Sequence, residues 1–351
     1  MPRQPRTAAF AARIVAWQRV HGRHDLPWQN TRDAYRIWLS EVMLQQTQVA
    51  TVLPYYQRFL ARFPDVRALA AAPVDDVLAH WSGLGYYRRA HHLHAAAKLV
   101  CESHGGVFPV ASATLATLPG IGRSTAAAIA AFASGERAAI LDGNVKRVLA
   151  RHCGIEGFPG LPAVERRMWQ AAEALLPDAD VAAYTQGLMD LGATICVRAD
   201  PRCLLCPVAE DCVARNEGRI AYLPAPRPTR VSPQREVQVL VCVRGHRVLV
   251  ERRPARGIWA GLWSLPEVSM GIDPLAVAIT RTGGTVRADA ALPPVRHAFT
   301  HFTLTMHPRR VEIEDAGVVT AGDDQRWVTQ EQALTLGLPA PVRRLLEAVA
   351  A

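Results

Sequence analysis

From residue 7 to about residue 222, apolar residues recur three and four positions apart. Ala-rich windows are common, and Gly or Pro interrupts them. This periodicity predicts a mainly helical region. Phe10, Ile14 and Trp17 fall on one helical face and predict a core-packing first helix. The pattern breaks at residues 223–235, LPAPRPTRVSPQR, which hold four Pro and no apolar period and read as an extended linker. Beyond it the period becomes two. VQVLVCV and RVLVERR alternate around an Arg244-Gly245 turn, as in a β-hairpin. HFTLTMHP and VEIE read as two further strands, and APVRRLLEAVA as a closing helix. Residues 236–351 are therefore expected to form an α/β domain. No internal repeat or low-complexity tract is present.

A chain of 351 residues exceeds one ordinary core, so two or three domains are expected. Half the residues are hydrophobic and 20% are charged, which suits a soluble globular protein. No apolar run reaches membrane-spanning length. The net charge of +9 and pI near 9.6 favour an anionic partner, nucleic acid first. The charge is shared: residues 1–222 carry net +5 and residues 223–351 net +4. The first 24 residues hold five Arg and no acid, but helical spacing and the lack of a cleavage signature argue against a transit peptide. A cytoplasmic protein is expected. Lysine is limited to Lys98 and Lys146.

Four of the seven cysteines, Cys196, Cys203, Cys206 and Cys212, follow a C-x6-C-x2-C-x5-C spacing. Such thiolates suit an iron–sulfur cluster or zinc, and disulfides suit this context poorly. Cys101, Cys153 and Cys242 are isolated and read as core packing. Upstream lies LPGIGRSTAAAIAAF (Leu118–Phe132), a helix end, a Pro-Gly-x-Gly turn and a second helix. Its Gly120 and Gly122 permit turn conformations closed to other residues. They leave backbone N–H groups at a helix start, where an anion can bind. Leu118, Gly120, Gly122 and Ser124 would thus contact a DNA phosphate without reading sequence. ILDGNVKRVLAR (Ile140–Arg151) then puts Asp142 at a helix start, as an N-cap or as a carboxylate facing a developing positive charge. In WLSEVMLQQTQV (Trp38–Val49), Glu41 sits among apolar neighbours on a helix running into a Gln-rich break. Desolvation there would raise its pKa and make it a proton donor.

Hairpin, Asp142 and four-cysteine loop together resemble the helix-hairpin-helix DNA glycosylases of base-excision repair, in their iron–sulfur branch. The Glu41 motif, GLGYYRRA (Gly83–Ala90) and LDGNVKRVLAR narrow the resemblance to the adenine DNA glycosylase, or MutY-type, family, over nearly the whole chain. The resemblance implies a catalytic region over residues 1–222, with a six-helix module at about 28–137 and an iron–sulfur module at about 1–27 and 138–222. It implies a 4Fe–4S cluster on the four cysteines. It implies hydrolysis of adenine mispaired with 8-oxoguanine, and less strictly with G, in double-stranded DNA, by a monomer. Glu41 matches the general acid that protonates adenine N7. Asp142 matches the carboxylate that stabilises the sugar oxocarbenium ion or briefly bonds to it, and Asn144 a residue near the sugar. Gln46 and Tyr86 match residues that insert at the lesion. Relatives that also cut the backbone carry Lys where this chain has Ser124, and a hydroxyl cannot form a Schiff base. Lys146 lies four residues past Asp142 and is expected at a phosphate or helix end. Arg198 and Arg202, between cluster ligands, could present charge to DNA.

The second domain resembles the Nudix-like C-terminal domain of that family, which inspects the oxidised guanine. RHAFTHFTL (Arg296–Leu304) matches its recognition loop, with Phe299, Thr300 and His301 at the tip and Thr300 where Ser is common. After GIWAGLWSLPEV (Gly257–Val268) the chain lacks the Glu-rich pattern that holds magnesium, so pyrophosphatase activity is not expected. Two alternatives remain: an endonuclease III-like pyrimidine glycosylase with lyase activity, and a non-catalytic iron–sulfur DNA-binding scaffold.

Overall fold

The structure is a computed structural model that describes residues 4–228, 231–314 and 323–349. Met1–Arg3, and Thr229 and Arg230 of the expected linker, lie outside them. The chain folds as two compact units. One comprises residues 1–52, 65–70 and 95–229; the other comprises 53–64, 71–94 and 230–351.

The first unit is helical, as the period of three and four requires. Phe10 and Ile14 of the helix Gln4–His21 are buried with Val145 and Leu149 of the helix Gly143–His152 and with Tyr184 and Leu188 of the helix Val181–Asp190. Trp17 packs against the same cluster. The predicted hairpin is present. A short helix, Ser112–Leu115, leads through the turn into the helix Arg123–Ser134, which ends at Gly135 in the left-handed conformation. Its buried alanines let neighbouring helices approach closely. After Asp190 the helix widens into a π-helical turn, Leu191–Ile195, immediately before Cys196. No helix among the described residues is long and apolar enough to cross a membrane.

The second unit is built on an eight-stranded mixed sheet: β1 (Gln234–Arg244), β2 (Arg247–Arg252), β3 (Trp263–Ser264), β4 (Glu267–Val268), β5 (Thr285–Ala291), β6 (Val295–Ala298), β7 (Thr303–Glu314) and β8 (Gln325–Thr329). The predicted hairpin is β1–β2, turning through Gly245 and His246. β1 already starts inside the expected linker. HFTLTMHP and VEIE, expected as two strands, form the single strand β7. Pro308 does not break it because β7 changes partner there. β6 pairs with residues 303–306, β5 with residues 309–314, and parallel β1 runs along the other edge. A strand can carry proline where the ladder needs no donor. The helix Ala340–Val349 closes the domain as predicted.

Helix Val74–Trp81 and residues 82–94 belong to this unit, although the sequence groups them with the helical region. Arg252 of β2 grips Asp75 through two 2.6 Å bonds, and Ser82 Oγ and Tyr87 Oη both donate to Leu338 O at 3.0 Å. Nothing in the hydrophobic period distinguishes these helices from their neighbours in sequence. The distinction lies in polar contacts at long range.

Candidate active site

Glu41 lies near the C-terminal end of the helix Ala34–Leu44, which Asp33 caps by accepting from Tyr35 N. Trp38, Leu39, Val42 and Met43 face the core, so Glu41 is drawn inward with them. It opens on two adjoining cavities, of about 490 and 810 Å³, both also lined by Arg23, Leu44, Val49 and Met189. Their size is that of small-molecule sites. Glu41 keeps some solvent access through them, yet protein encloses its carboxyl. Desolvation, helped by the nearby charge of Asp142, pushes its pKa up to about 8. No hydrogen-bond donor among the described residues reaches this carboxyl. Its surroundings thus favour the protonated form near neutral pH.

Asp142 borders the larger cavity, with Gly143, Asn144 and Ser124. It is the N-cap of the helix Gly143–His152 and accepts from Val145 N at 2.8 Å. Burial raises its pKa, but the backbone N–H groups of Val145 and Asn144, the Arg147 charge and the Asn144 side chain oppose that rise. Asn144 Oδ1 accepts from Arg147 Nη2 at 2.9 Å. Arg147 also donates to Gly192 O at 2.6 Å and to Cys196 O at 2.7 Å. A Cβ on Gly192 would lie 2.6 Å from that of Asn144, so only glycine lets the π-helical turn approach so closely. The cavity wall and the cysteine loop are thereby joined through one guanidinium.

In the hairpin turn, Gly120 has φ +79° and needs glycine. Gly122 departs from expectation: at φ −88° and ψ 170° any residue would be allowed. A Cβ there would meet only open space, and no side chain caps the helix that follows. What glycine provides at 122 is bare access to the first N–H groups of the helix. Leu118 is buried behind the turn. Ser124 Oγ accepts from Leu141 N at 2.8 Å, so this hydroxyl ties the hairpin to the Asp142 segment. Lys146 is turned aside: its ammonium lies 2.7 Å from Glu165. Gln46 and Tyr86 are both exposed and both hold positive φ, +59° and +49°. Non-glycine residues adopt this conformation at a cost of about 1–3 kcal/mol, and such strain collects at functional sites. Arg89 stacks under the Tyr86 and Trp81 rings and donates to Leu84 O and Gly85 O, which props the Tyr86 turn.

Cys196, Cys203, Cys206 and Cys212 line one cavity, together with Val148, Leu191, Ile195 and Arg151. Among the described residues no three His, Cys, Asp or Glu side chains are arranged to hold a metal ion. The thiols surround a space instead. Arg151 Nη1 donates to Cys196 Sγ at 3.4 Å, and Cys212 Sγ contacts Arg151 O at 3.5 Å. Arg198 and Arg202 are exposed beside this loop. Of the isolated cysteines, Cys242 is buried and Cys101 partly so. Cys153, expected in the core, is exposed, because it caps the C-terminus of a helix where the chain leaves the core.

In the second unit, Phe299, Thr300 and His301 occupy the turn between β6 and β7, closed by Phe299 N donating to Phe302 O at 2.8 Å. Phe299 stacks on Phe302 with centroids 4.5 Å apart and also meets His297 and Trp259. Thr300 and His301 are exposed on this aromatic base. Trp259, in RRPARGIWAGLW, packs here with φ +56°.

Sequence reasoning missed Arg23, Gln186, Asp190 and Arg147. The one signal for Asp190 was an acid between apolar pairs in Leu188-Met189-Asp190-Leu191, where a surface carboxylate is out of place.

Residues 39–174 match the model of the HhH-GPD superfamily of base-excision DNA repair proteins, and residues 238–348 match the NUDIX domain. An adenine DNA glycosylase of Buchnera aphidicola (subsp. Schizaphis graminum) is 32% identical over 339 residues, covering 96% of this chain and 98% of the relative. The human adenine DNA glycosylase is 32% identical over 400 residues, covering 96% and 73%. Among solved structures, a thermostable thymine-DNA glycosylase superposes with TM-score 0.56 at 29% identity, covering 61% of this chain and 98% of that one. An endonuclease III–DNA complex, at TM-score 0.52 and 18% identity, shares the fold of 62% of this chain and 99% of its own.

Proposed function

Because the chain belongs to the adenine DNA glycosylase family, and is thus a DNA-repair glycosylase, we propose that it hydrolyses the N-glycosidic bond of adenine opposite 8-oxoguanine, and less strictly opposite G. The observation that carries the reading is that Glu41 and Asp142 open on one cleft, and that fixed hydrogen-bond donors oppose the effect of burial at Asp142 only. Adenine leaves the stack, at a cost of about a few kcal/mol, and enters beside Glu41. The protonated Glu41 gives its proton to N7, which turns the base into a neutral leaving group. As the bond breaks, the sugar becomes an oxocarbenium ion. The Asp142 carboxylate, aimed by Val145 N and Asn144, balances that charge or bonds transiently to the sugar carbon. Water then completes hydrolysis, the division of labour of paired carboxyls in glycoside cleavage generally. Gln46 and Tyr86 fill and wedge the duplex; the first N–H groups of the helix Arg123–Ser134 take a phosphate.

Cys196, Cys203, Cys206 and Cys212 would hold a 4Fe–4S cluster; the four thiols line one space, as an all-thiolate site requires. When bound it would pin the loop that carries Cys196, whose carbonyl accepts from Arg147 on the Asp142 wall. Phe299, Thr300 and His301 present a hydroxyl and an imidazole to the oxidised guanine.

The absence of strand cleavage is supported by Ser124, whose hydroxyl is engaged, and by Lys146, whose ammonium is paired with Glu165. Single-turnover assays on an 8-oxoguanine:A duplex and on a damaged-pyrimidine duplex test the reading. Alkali-dependent cleavage at A is expected. Direct cleavage at damaged pyrimidine would favour the endonuclease III-like alternative, and binding without cleavage the scaffold. Borohydride trapping as fast as adenine release would overturn the monofunctional assignment.

A further inference from the structure

Tyr86 and the Phe299–His301 turn belong to the same compact unit, whereas Glu41 and Asp142 belong to the other. Two carbonyls hold the segment that carries Tyr86. Leu338 O accepts from Ser82 Oγ and Tyr87 Oη, on either side of Tyr86, at 3.0 Å. Tyr87 Oη in turn accepts from Gly83 N at 3.2 Å. In the helix Arg88–Ser103, which starts just after Tyr86, His91 Nε2 lies 3.0 Å from Ala260 O. A carbonyl only accepts, so this ring nitrogen carries the proton. The fit at this point is close. Gly261 has φ +70°, and a Cβ there would lie 3.2 Å from His91 Cε1. Ala260 follows Trp259, whose buried ring meets Phe299 and His297 with centroids 5.2 and 5.5 Å apart. The helix that begins at the Tyr86 turn is thus joined to the Phe299–His301 turn through one hydrogen bond and one aromatic contact.

We propose that His91 is a positioning residue for lesion specificity: its bond to Ala260 O sets the spacing between the Tyr86 wedge and the Phe299–His301 reader, so that reading 8-oxoguanine places the wedge. The inference rests on the glycosylase reading above. Two contacts presented by one unit reinforce each other, because the first makes the second intramolecular. Opposite 8-oxoguanine both contacts form, and the fixed spacing turns reader binding into wedge placement. Opposite G the reader lacks its oxidised partner, and Tyr86 inserts unaided. Loosening the spacing therefore slows excision opposite 8-oxoguanine and spares excision opposite G. A leucine at position 91 fills space but donates nothing, whereas a glutamine carries an Nε2 donor at similar reach.

The test uses the full-length, cluster-loaded protein in single-turnover excision of adenine opposite 8-oxoguanine and opposite G. His91→Leu is expected to slow the first about fivefold, the worth of one hydrogen bond, and to leave the second within about twofold of wild type. His91→Gln should restore most of the loss. In a His301→Ala background, where the reader is weakened, adding His91→Leu should cost little more, which a double-mutant cycle measures. Melting temperatures report whether each variant folds. If His91→Leu fails to fold, Tyr87→Phe breaks the tie to Leu338 O and should show the same dependence on the opposite base. Equal slowing opposite both bases, an unchanged rate opposite 8-oxoguanine, or a loss that glutamine does not restore overturns the inference. A wild-type protein inert on both duplexes overturns the glycosylase reading and the inference with it, so the two failures are told apart by the wild type alone.

Discussion

Glu41 and Asp142 open on the same cleft and are desolvated to a similar degree, yet their surroundings differ. Glu41 sits near the end of a helix with no donor to its carboxyl among the described residues, and burial, helped by the Asp142 charge, holds its proton. Asp142 sits at the start of a helix, where two backbone N–H groups, Asn144 and Arg147 oppose the same burial. Desolvation without donors favours the protonated acid; fixed donors work against the same desolvation and favour the carboxylate. Helix polarity sorts the two roles before any substrate arrives.

The sharpest break in this comparison is to remove each charge without changing shape. Glu41→Gln and Asp142→Asn should each lower excision by about a hundredfold to ten-thousandfold or more, the range of general acid–base and charge stabilisation. Mismatch binding, measured by gel shift, should persist. Asparagine also caps helices well, so Asp142→Asn should melt near wild type, whereas Asp142→Ala should lose about 1 kcal/mol as well. Undiminished excision in either isostere would end the assignment.

The pH profile comes next. Excision needs Glu41 protonated, so single-turnover rates should fall as pH rises through about 8. On the acid side they should fall as Asp142 protonates, above the ordinary aspartate range. The same raised pKa has a cost in stability. Between the unfolded pKa near 4.5 and the folded value near 8, the native state keeps a proton that the unfolded chain releases. Wild-type stability should therefore drop across that window, and the Tm advantage of Glu41→Gln should grow from pH 5 to pH 8. A constant advantage would mean the Glu41 carboxyl is not perturbed.

Smaller effects should come from the supports. Arg147→Ala removes three bonds on the Asp142 side and none at Glu41. It should slow excision and shift the acidic limb of the profile, leaving the limb near 8 in place. Replacing both Arg198 and Arg202 with Ala should weaken DNA binding and flatten its log–log salt slope by about 2. An unchanged slope would remove these arginines from the DNA surface.

Much of this arrangement was legible in the chain. The helical period, the Pro-rich break and the alternating strands gave both fold classes. The hairpin, Glu41, Asp142 and the four cysteines are local motifs, and local motifs survive reading one residue at a time. What escaped depends on distance. The parallel pairing of β1 with β7 joins residues about seventy apart, and the Arg252–Asp75 grip joins residues far more distant. Asp190 was invisible as a hub because its three donors, Arg23 N, Arg23 Nε and Gln186 Nε2, come from two separate segments. Gly122 was legible as a glycine but not for its reason: its backbone is ordinary, and only the open space before it explains the residue.

Pro308 carries a consequence for folding fidelity. In a strand, the N–H and C=O of one residue point to the same edge. Pro308 O accepts from Leu292 N at 2.9 Å, so its missing N–H lies on the edge shared by β5 and β6. Sliding either strand by two residues would keep every side chain on its proper face, so hydrophobic patterning does not forbid the slip. Advancing a ladder across position 308 would demand a donor that proline lacks. One imino acid thus acts as a register stop, marking on β7 where one neighbour must end and the next begin.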